Sequence, residues 1–198
     1  MKRQKSHLWN LMGLLLALAV LLAGCGQETA ANTVKPYPIT EEQQELLQYL
    51  NLNNTANLFS YQCPENSQEV TITSYVLEDG TWVINGQGTL SWDGKTVESR
   101  EGVFTLIYQE DRRFAMSLHA QGTSSFRSDP VDIPPDLTAS SNAWLSEEVE
   151  IQLEKEIPVA LFVSDSGNRM SSLTVEDYFS PEKLEEMDLV QAVTMTFV

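Results

Sequence analysis

Two cysteines and two histidines are all the thiol and imidazole groups in this 198-residue chain. His7 lies in a basic N-terminal stretch, which leaves His119 as the imidazole available to a folded domain. No HExxH pair and no GxSxG nucleophile elbow occurs, so the usual zinc-hydrolase and serine-hydrolase constellations have nothing to assemble from. A Ser-His-Asp triad would have to use His119, on the solvent face of a strand beside Gln121-Gly122, where an idle exposed ring is the simpler reading. Gly86-Gln87-Gly88 sits between two strand-like runs with no helix following, so it reads as a turn and not as a phosphate cradle. Carboxylates are plentiful. A glycosidase pair needs two of them about 5–9.5 Å apart across a cleft, whereas Glu148, Glu150 and Glu154 fall on one strand face and Glu182, Glu185 and Glu186 on one helix, as solvated faces do. Calcium would suit Asp129, Asp132 and Asp136 on one proline-stiffened loop, or the oxygens of Asp165-Ser166-Gly167-Asn168. Neither has the EF-hand spacing, and ordinary turns explain both. Among the aromatics, Trp92 at a hairpin tip and Trp144 after a proline loop are the rings that could stack on a sugar. Strand aromatics generally serve the core, and Trp82 alternates in step with Ile84.

The chemistry with a specific motif lies at the N-terminus. Met1–Asn10 carries Lys2, Arg3 and Lys5, and Leu11–Ala23 is a 13-residue apolar run without a charge. At ~1.5 Å per residue that run spans about 20 Å, short of a ~30 Å hydrocarbon core. A basic segment followed by a short apolar one is the pattern of a secretory signal peptide. An uncleaved membrane anchor with Cys25 as bystander is the alternative, and the run is too short for it. Leu22-Ala23-Gly24-Cys25 resembles the lipobox of bacterial lipoprotein signal peptides, with Leu at −3, small residues at −2 and −1, and the cysteine at +1. The resemblance covers residues 1–25. It implies transfer of diacylglycerol to the Cys25 sulfur and cleavage between Gly24 and Cys25. Two acyl chains meet the two-signal requirement for stable anchoring. A lipidated Cys25 leaves Cys63 without an intrachain partner, so no disulfide framework or CxxC metal pair is expected. Cys63 itself, in Tyr61-Gln62-Cys63-Pro64, reads as a half-buried small hydrophobe and not as a redox thiol.

Beyond the cysteine, 26–40 is small, polar and proline-bearing, and reads as a tether. Thr40 followed by Glu41-Glu42-Gln43 is a capping box opening a helix over 41–51, with Leu46, Leu47, Tyr49 and Leu50 as a short apolar face. From 56 to 127 the apolar period is two. Asp79-Gly80 and Asp93-Gly94 mark hairpins, and Phe114, Met116, Leu118 and Ala120 alternate with Arg113, Ala115, Ser117 and His119. A proline loop over 129–142 precedes a strand from 149 that breaks at Pro158, which suggests an edge or a bulge, and resumes over 159–163. Ser180-Pro181 opens a short helix within 177–187, and a β-branched strand over 190–198 closes the chain. Strands every 10–12 residues with no intervening helix predict a mainly β chain, a single antiparallel β-sandwich or meander with short helices near both ends. The organisation is then 1–24 signal peptide, 25–40 lipidated cysteine and tether, and 41–198 one globular domain.

The 12 basic and 28 acidic residues give a net charge of −16. The segment 1–24 holds Lys2, Arg3 and Lys5 and no acid, so its loss takes the net charge to −19. Such acidity argues against nucleic acid and against electrostatic docking on anionic lipid. The lipobox, the strand meander, "EKEIPVALFV", "DYFSPEKLEEMD" and the terminal "VTMTF" together resemble small uncharacterised lipoproteins of Firmicutes. That resemblance implies an extracytoplasmic, lipid-anchored location at the bacterial cell membrane and carries no activity with it. The expectation is therefore a non-enzymatic binding or interaction domain facing the envelope. Its partner would be an envelope protein or a glycan, and no cofactor is expected beyond the diacylglycerol on Cys25. The alternatives are an acid/base hydrolase of envelope polysaccharide and an assembly or inhibitory partner that pairs an edge strand such as 149–157 with another chain.

Overall fold

The computed structural model describes residues 32–92, 100–120, 122–167 and 172–198. Gly24, Cys25, the Asp93-Gly94 hairpin and Asn168 lie outside the described residues. Among the described residues, eleven strands form two antiparallel sheets. One sheet has six strands in the order β7 (Thr123–Arg127), β6 (Phe114–His119), β5 (Glu101–Tyr108), β2 (Ala56–Gln62), β1 (Thr33–Pro36) and β9 (Val149–Glu150). The other has five, β4 (Thr81–Ser91), β3 (Glu69–Glu78), β11 (Leu189–Phe197), β10 (Glu156–Asp165) and β8 (Ala139–Trp144). The fold is a β-sandwich, as the period-two runs and turn spacing predict.

The core lies between the sheets and is built from rings that meet across them. Phe59 of β2 faces Trp144 of β8 with centroids 6.5 Å apart, Tyr61 of β2 meets Phe197 of β11 at 5.7 Å, and Phe114 of β6 meets Phe162 of β10 at 5.3 Å. Alternation decides which residues these are. In β6 Phe114, Met116 and Leu118 are buried while the intervening residues are not, because successive side chains leave a strand on opposite faces. The β3–β4 hairpin closes through Asp79 and Gly80 at φ 49° and 74°, the pair of left-handed residues that a tight hairpin turn of matching twist requires. Thr40 and Gln43 form the expected capping box around α1 (Glu41–Tyr49): Gln43 N donates to Thr40 Oγ1 at 3.3 Å and Thr40 N to Gln43 Oε1 at 2.9 Å. The helix buries none of its residues, so its apolar face is largely exposed, Tyr49 by 79%.

Several elements depart from the sequence reading. Residues 33–36, read as tether, form β1, hydrogen-bonded between β2 and β9, with Val34 fully buried. Residues 139–144, mostly read as loop, form β8. The strand expected from 149 shrinks to two residues, and β10 runs through Pro158 in the interior of its sheet. A register shift between Pro158 and Ala160 accommodates the missing N–H, so the bulge expected at the proline is present and the edge position is not. Gly86 and Gly88 are not a turn but lie inside β4, where the two sheets' edges approach. A Cβ on Gly86 would sit 2.8 Å from Ser128 Cα, and one on Gly88 would overlap the Phe126 ring. Glycine in a strand marks such close approach as readily as it marks a turn. The C-terminal helix is two 3-10 turns, Val175–Phe179 and Pro181–Lys183, with Pro181 at the first position.

Candidate functional site

The residues singled out by type end up in structural roles or apart from one another. Trp144 stands inside the sandwich against Phe59 and, edge-on at 5.0 Å, Phe162. Trp92 packs against the core and its Nε1–H donates to the Ser67 carbonyl at 2.7 Å. Asp129, Asp132 and Asp136 are all exposed, and no group of three or more His, Cys, Asp or Glu side chains able to hold a metal occurs among the described residues. His119 is exposed at the end of β6, its Nδ1 3.1 Å from Thr123 Oγ1. Cys63 is more deeply buried than expected, 2% exposed, and burial pushes its thiol up to about 12.

What the fold does assemble lies on the outer face of the five-stranded sheet. There the Val175–Lys183 segment is clamped onto the strands by one carboxylate. Glu156, at the start of β10, accepts hydrogen bonds from Tyr178 Oη at 2.7 Å, from Tyr75 Oη, and from the buried Thr194 Oγ1 at 3.3 Å. Trp82 Nε1–H donates to the Tyr178 carbonyl at 2.9 Å, and the two rings stack with centroids 4.9 Å apart. Burial, and then the Glu156 charge, raise both phenols above the ordinary tyrosine range. Hydroxyls that stay protonated remain donors to the carboxylate. The sequence pattern explains the geometry: Thr194 and Tyr75 sit on the outward rows of adjacent strands β11 and β3, where cross-strand neighbours share a face.

Holding that segment down leaves a partly open cavity of about 160 Å³ against β8 and β10. Val163, Leu173, Leu184 and Met187 give it an apolar lining, while Ser141 of β8, Ser172 and the Asp177–Lys183 pair supply its polar groups. Lys183 Nζ lies 3.3 Å from Asp177 Oδ1. The Thr174 backbone N–H, 2.9 Å from Asp177 Oδ2, is the first of the contacts that hold this carboxyl below its ordinary range, with Lys183 adding to it. The volume suits one apolar side chain and falls below the ~300 Å³ at which small-molecule pockets begin.

Beside the cavity runs β8, last in its sheet. Leu145 N–H donates to the Val159 carbonyl of β10. By the two-residue period of an antiparallel ladder, the backbone groups of Ser141 and Ala143 then face β10, and those of Ser140 and Asn142 face outward. No described strand pairs with that side. Such an edge can take one more strand, and a strand added there would project a side chain on the same face as Ser141, toward the cavity. Sequence reading missed this site because Ala139-Ser140-Ser141-Asn142-Ala143 has no hydrophobic alternation and follows three prolines. The one available signal was the rising β character toward Trp144.

Searches against protein-family models, curated proteins and solved structures return no match to this chain.

Proposed function

We propose that the chain is an extracytoplasmic lipoprotein of the bacterial envelope, anchored through diacylglycerol on Cys25, whose β domain binds an extended segment of a partner protein along β8. The observation that carries the docking reading is the open edge of β8 beside a cavity the size of one side chain. In strand addition, main-chain hydrogen bonds supply affinity and pockets for alternate side chains supply specificity. Glycan capture is less favoured, since Trp92 and Trp144, the rings offered for sugar stacking, are engaged by the domain itself. A hydrolase would need two carboxylates facing each other across a cleft; Glu156 has both oxygens occupied by hydroxyl donors, and Asp177, which lines the cavity, is paired with Lys183 and the Thr174 N–H.

The test is Asn142→Pro in the full lipidated chain, with a photo-crosslinking side chain at the exposed Ser146 just past β8. Proline at 142 deletes an outward N–H while the ladder to β10 keeps its bonds. A discrete envelope-protein adduct that Asn142→Pro reduces at least tenfold, with thermal unfolding unchanged, supports the reading. An adduct indifferent to the proline rejects it.

A further inference from the structure

At the end of the sandwich, the turn between β5 and β6 holds an arginine in an unusual arrangement. Arg112 has φ 62°, in the left-handed region that favours glycine or asparagine. Its N–H donates to the Gln109 carbonyl at 3.0 Å, and Gln109 N–H donates to the Arg113 carbonyl at 2.9 Å. From beneath, the fully buried Gln191 donates Nε2–H to the Arg112 carbonyl at 2.9 Å and accepts from Tyr108 Oη at 3.0 Å. The backbone strain is thus held in place by a buried amide. Strain of this kind persists where the surroundings over-determine it, which at ligand sites is part of the design.

The side chain folds back over the Tyr108 ring, with the guanidinium carbon 5.8 Å from the centroid. One nitrogen makes its hydrogen bonds: Nη1 lies 3.0 Å from Ser164 Oγ, 3.4 Å from Ser140 Oγ and 3.4 Å from Tyr108 Oη. The two serine hydroxyls are 3.0 Å from each other. Nε and Nη2, the side of the fork that matches a carboxylate with two parallel bonds, engage no described residue. The ion pairs among the described residues join Lys35 to Glu148, Arg113 to Asp111 and Lys183 to Asp177, and none includes Arg112. In a chain of net charge −16, this guanidinium lies over a phenol, donates to three hydroxyls and forms no ion pair with a described residue.

We infer that Arg112, oriented by Ser140, Ser164 and Tyr108, is a carboxylate-binding site. The carboxylate is carried either by a free small acid or by a partner segment on β8, because Ser140 belongs to that edge strand. On β8, Ser140 and Ser141 leave on opposite faces, so an added strand with an apolar residue over the cavity would present its neighbour to Arg112. The inference does not require the docking reading, and the experiment separates them.

Full-length protein in nonionic detergent is titrated at constant ionic strength with acetate. It is titrated separately with a capped six-residue valine/threonine peptide carrying one central glutamate, and with that peptide's glutamine twin. Saturable acetate binding, followed at the Ser140 and Ser164 backbone amide resonances that both proteins carry, and weakened at least tenfold by Arg112→Lys, establishes the site and a free-acid source. Silence toward acetate, with the glutamate peptide bound at least tenfold more tightly than its twin and that preference abolished by Arg112→Lys, establishes the site and a protein source. Acetate binding with no response to either peptide upholds the site and counts against docking on β8. No Arg112-dependent difference in any titration overturns the site. If Arg112→Lys fails to fold, Ser140→Ala on the exposed edge replaces it, with a severalfold weakening expected and unchanged affinity rejecting the inference.

Discussion

The Cys63 thiol shows how position within the fold sets the chemistry of a single residue. Desolvation pushes its ionisation up to about 12, and Arg100 and Ser67 pull back only part of that. At pH 8, about one such thiol in ten thousand is the nucleophilic thiolate, against roughly a quarter for an unperturbed cysteine. Thiol reagents are therefore expected to modify Cys63 at least about a thousandfold more slowly in the native protein than in denaturant, measured by the rate of colour release from an aromatic disulfide. Comparable rates in the two states would mean that the thiol is open. The sequence pointed toward an unreactive Cys63, because Tyr61-Gln62-Cys63-Pro64 places it at the end of a strand-like run, where it reads as a small hydrophobe. Arg112 was illegible by the same logic. Its sequence neighbours Asp111 and Arg113 pair with each other, and the hydroxyls around its guanidinium come from positions 4, 28 and 52 residues away.

Between elements, the contact most exposed to test is the Glu156 carboxylate. It joins β3, β10, β11 and the first 3-10 turn through Tyr75, Thr194 and Tyr178. Glu156→Ala removes a charged acceptor from three hydroxyls, one of them on the fully buried Thr194. Hydrogen bonds to charged groups contribute about 1.5–3 kcal/mol each, and water reaches part of this cluster, so a net loss of about 3 kcal/mol is expected. For a domain of this size that lowers Tm by about 6–12 °C, with Glu156→Gln costing less because one acceptor oxygen remains. A Glu156→Ala melting point within about 2 °C of the native one would show that the segment is held by packing alone. Elements legible in the sequence are those whose signal is local. The capping box, the Asp79-Gly80 turn and the β6 alternation each need only a few consecutive residues. β1 and β8 were missed because polar, proline-flanked residues became strands only through the partners they meet, β2 and β10. Gly86 and Gly88 were misread because what they admit, the Phe126 ring and the Ser128 backbone, comes from a strand far along the chain.

At the scale of the whole molecule, charge and lipid make opposite demands. With the segment 1–24 removed the chain carries −19, which repels an anionic bilayer surface. Under the proposed anchoring, membrane residence then rests on the acyl chains alone, at ~0.8 kcal/mol per buried methylene. Cys25→Ala removes the sulfur that accepts them and leaves every described residue of the sandwich unchanged. The expected result is that the protein moves from the membrane pellet to the soluble fraction, or accumulates as a precursor larger by the uncleaved signal peptide. In both cases the sandwich is expected to keep its unfolding transition, because the core formed by the described residues spans 34–197 and does not include the substituted position. Membrane fractionation at high and low salt checks the first part, since a residual electrostatic attachment would be released by salt and a lipid anchor would not. If Cys25→Ala remains salt-resistant in the pellet with native mobility, the lipid reading is wrong and Leu11–Ala23 itself must hold the chain. If it is released and still gives the Asn142-dependent adduct, anchoring and recognition are separable. The lipid would then act by raising local concentration at the membrane, as linked binding events do.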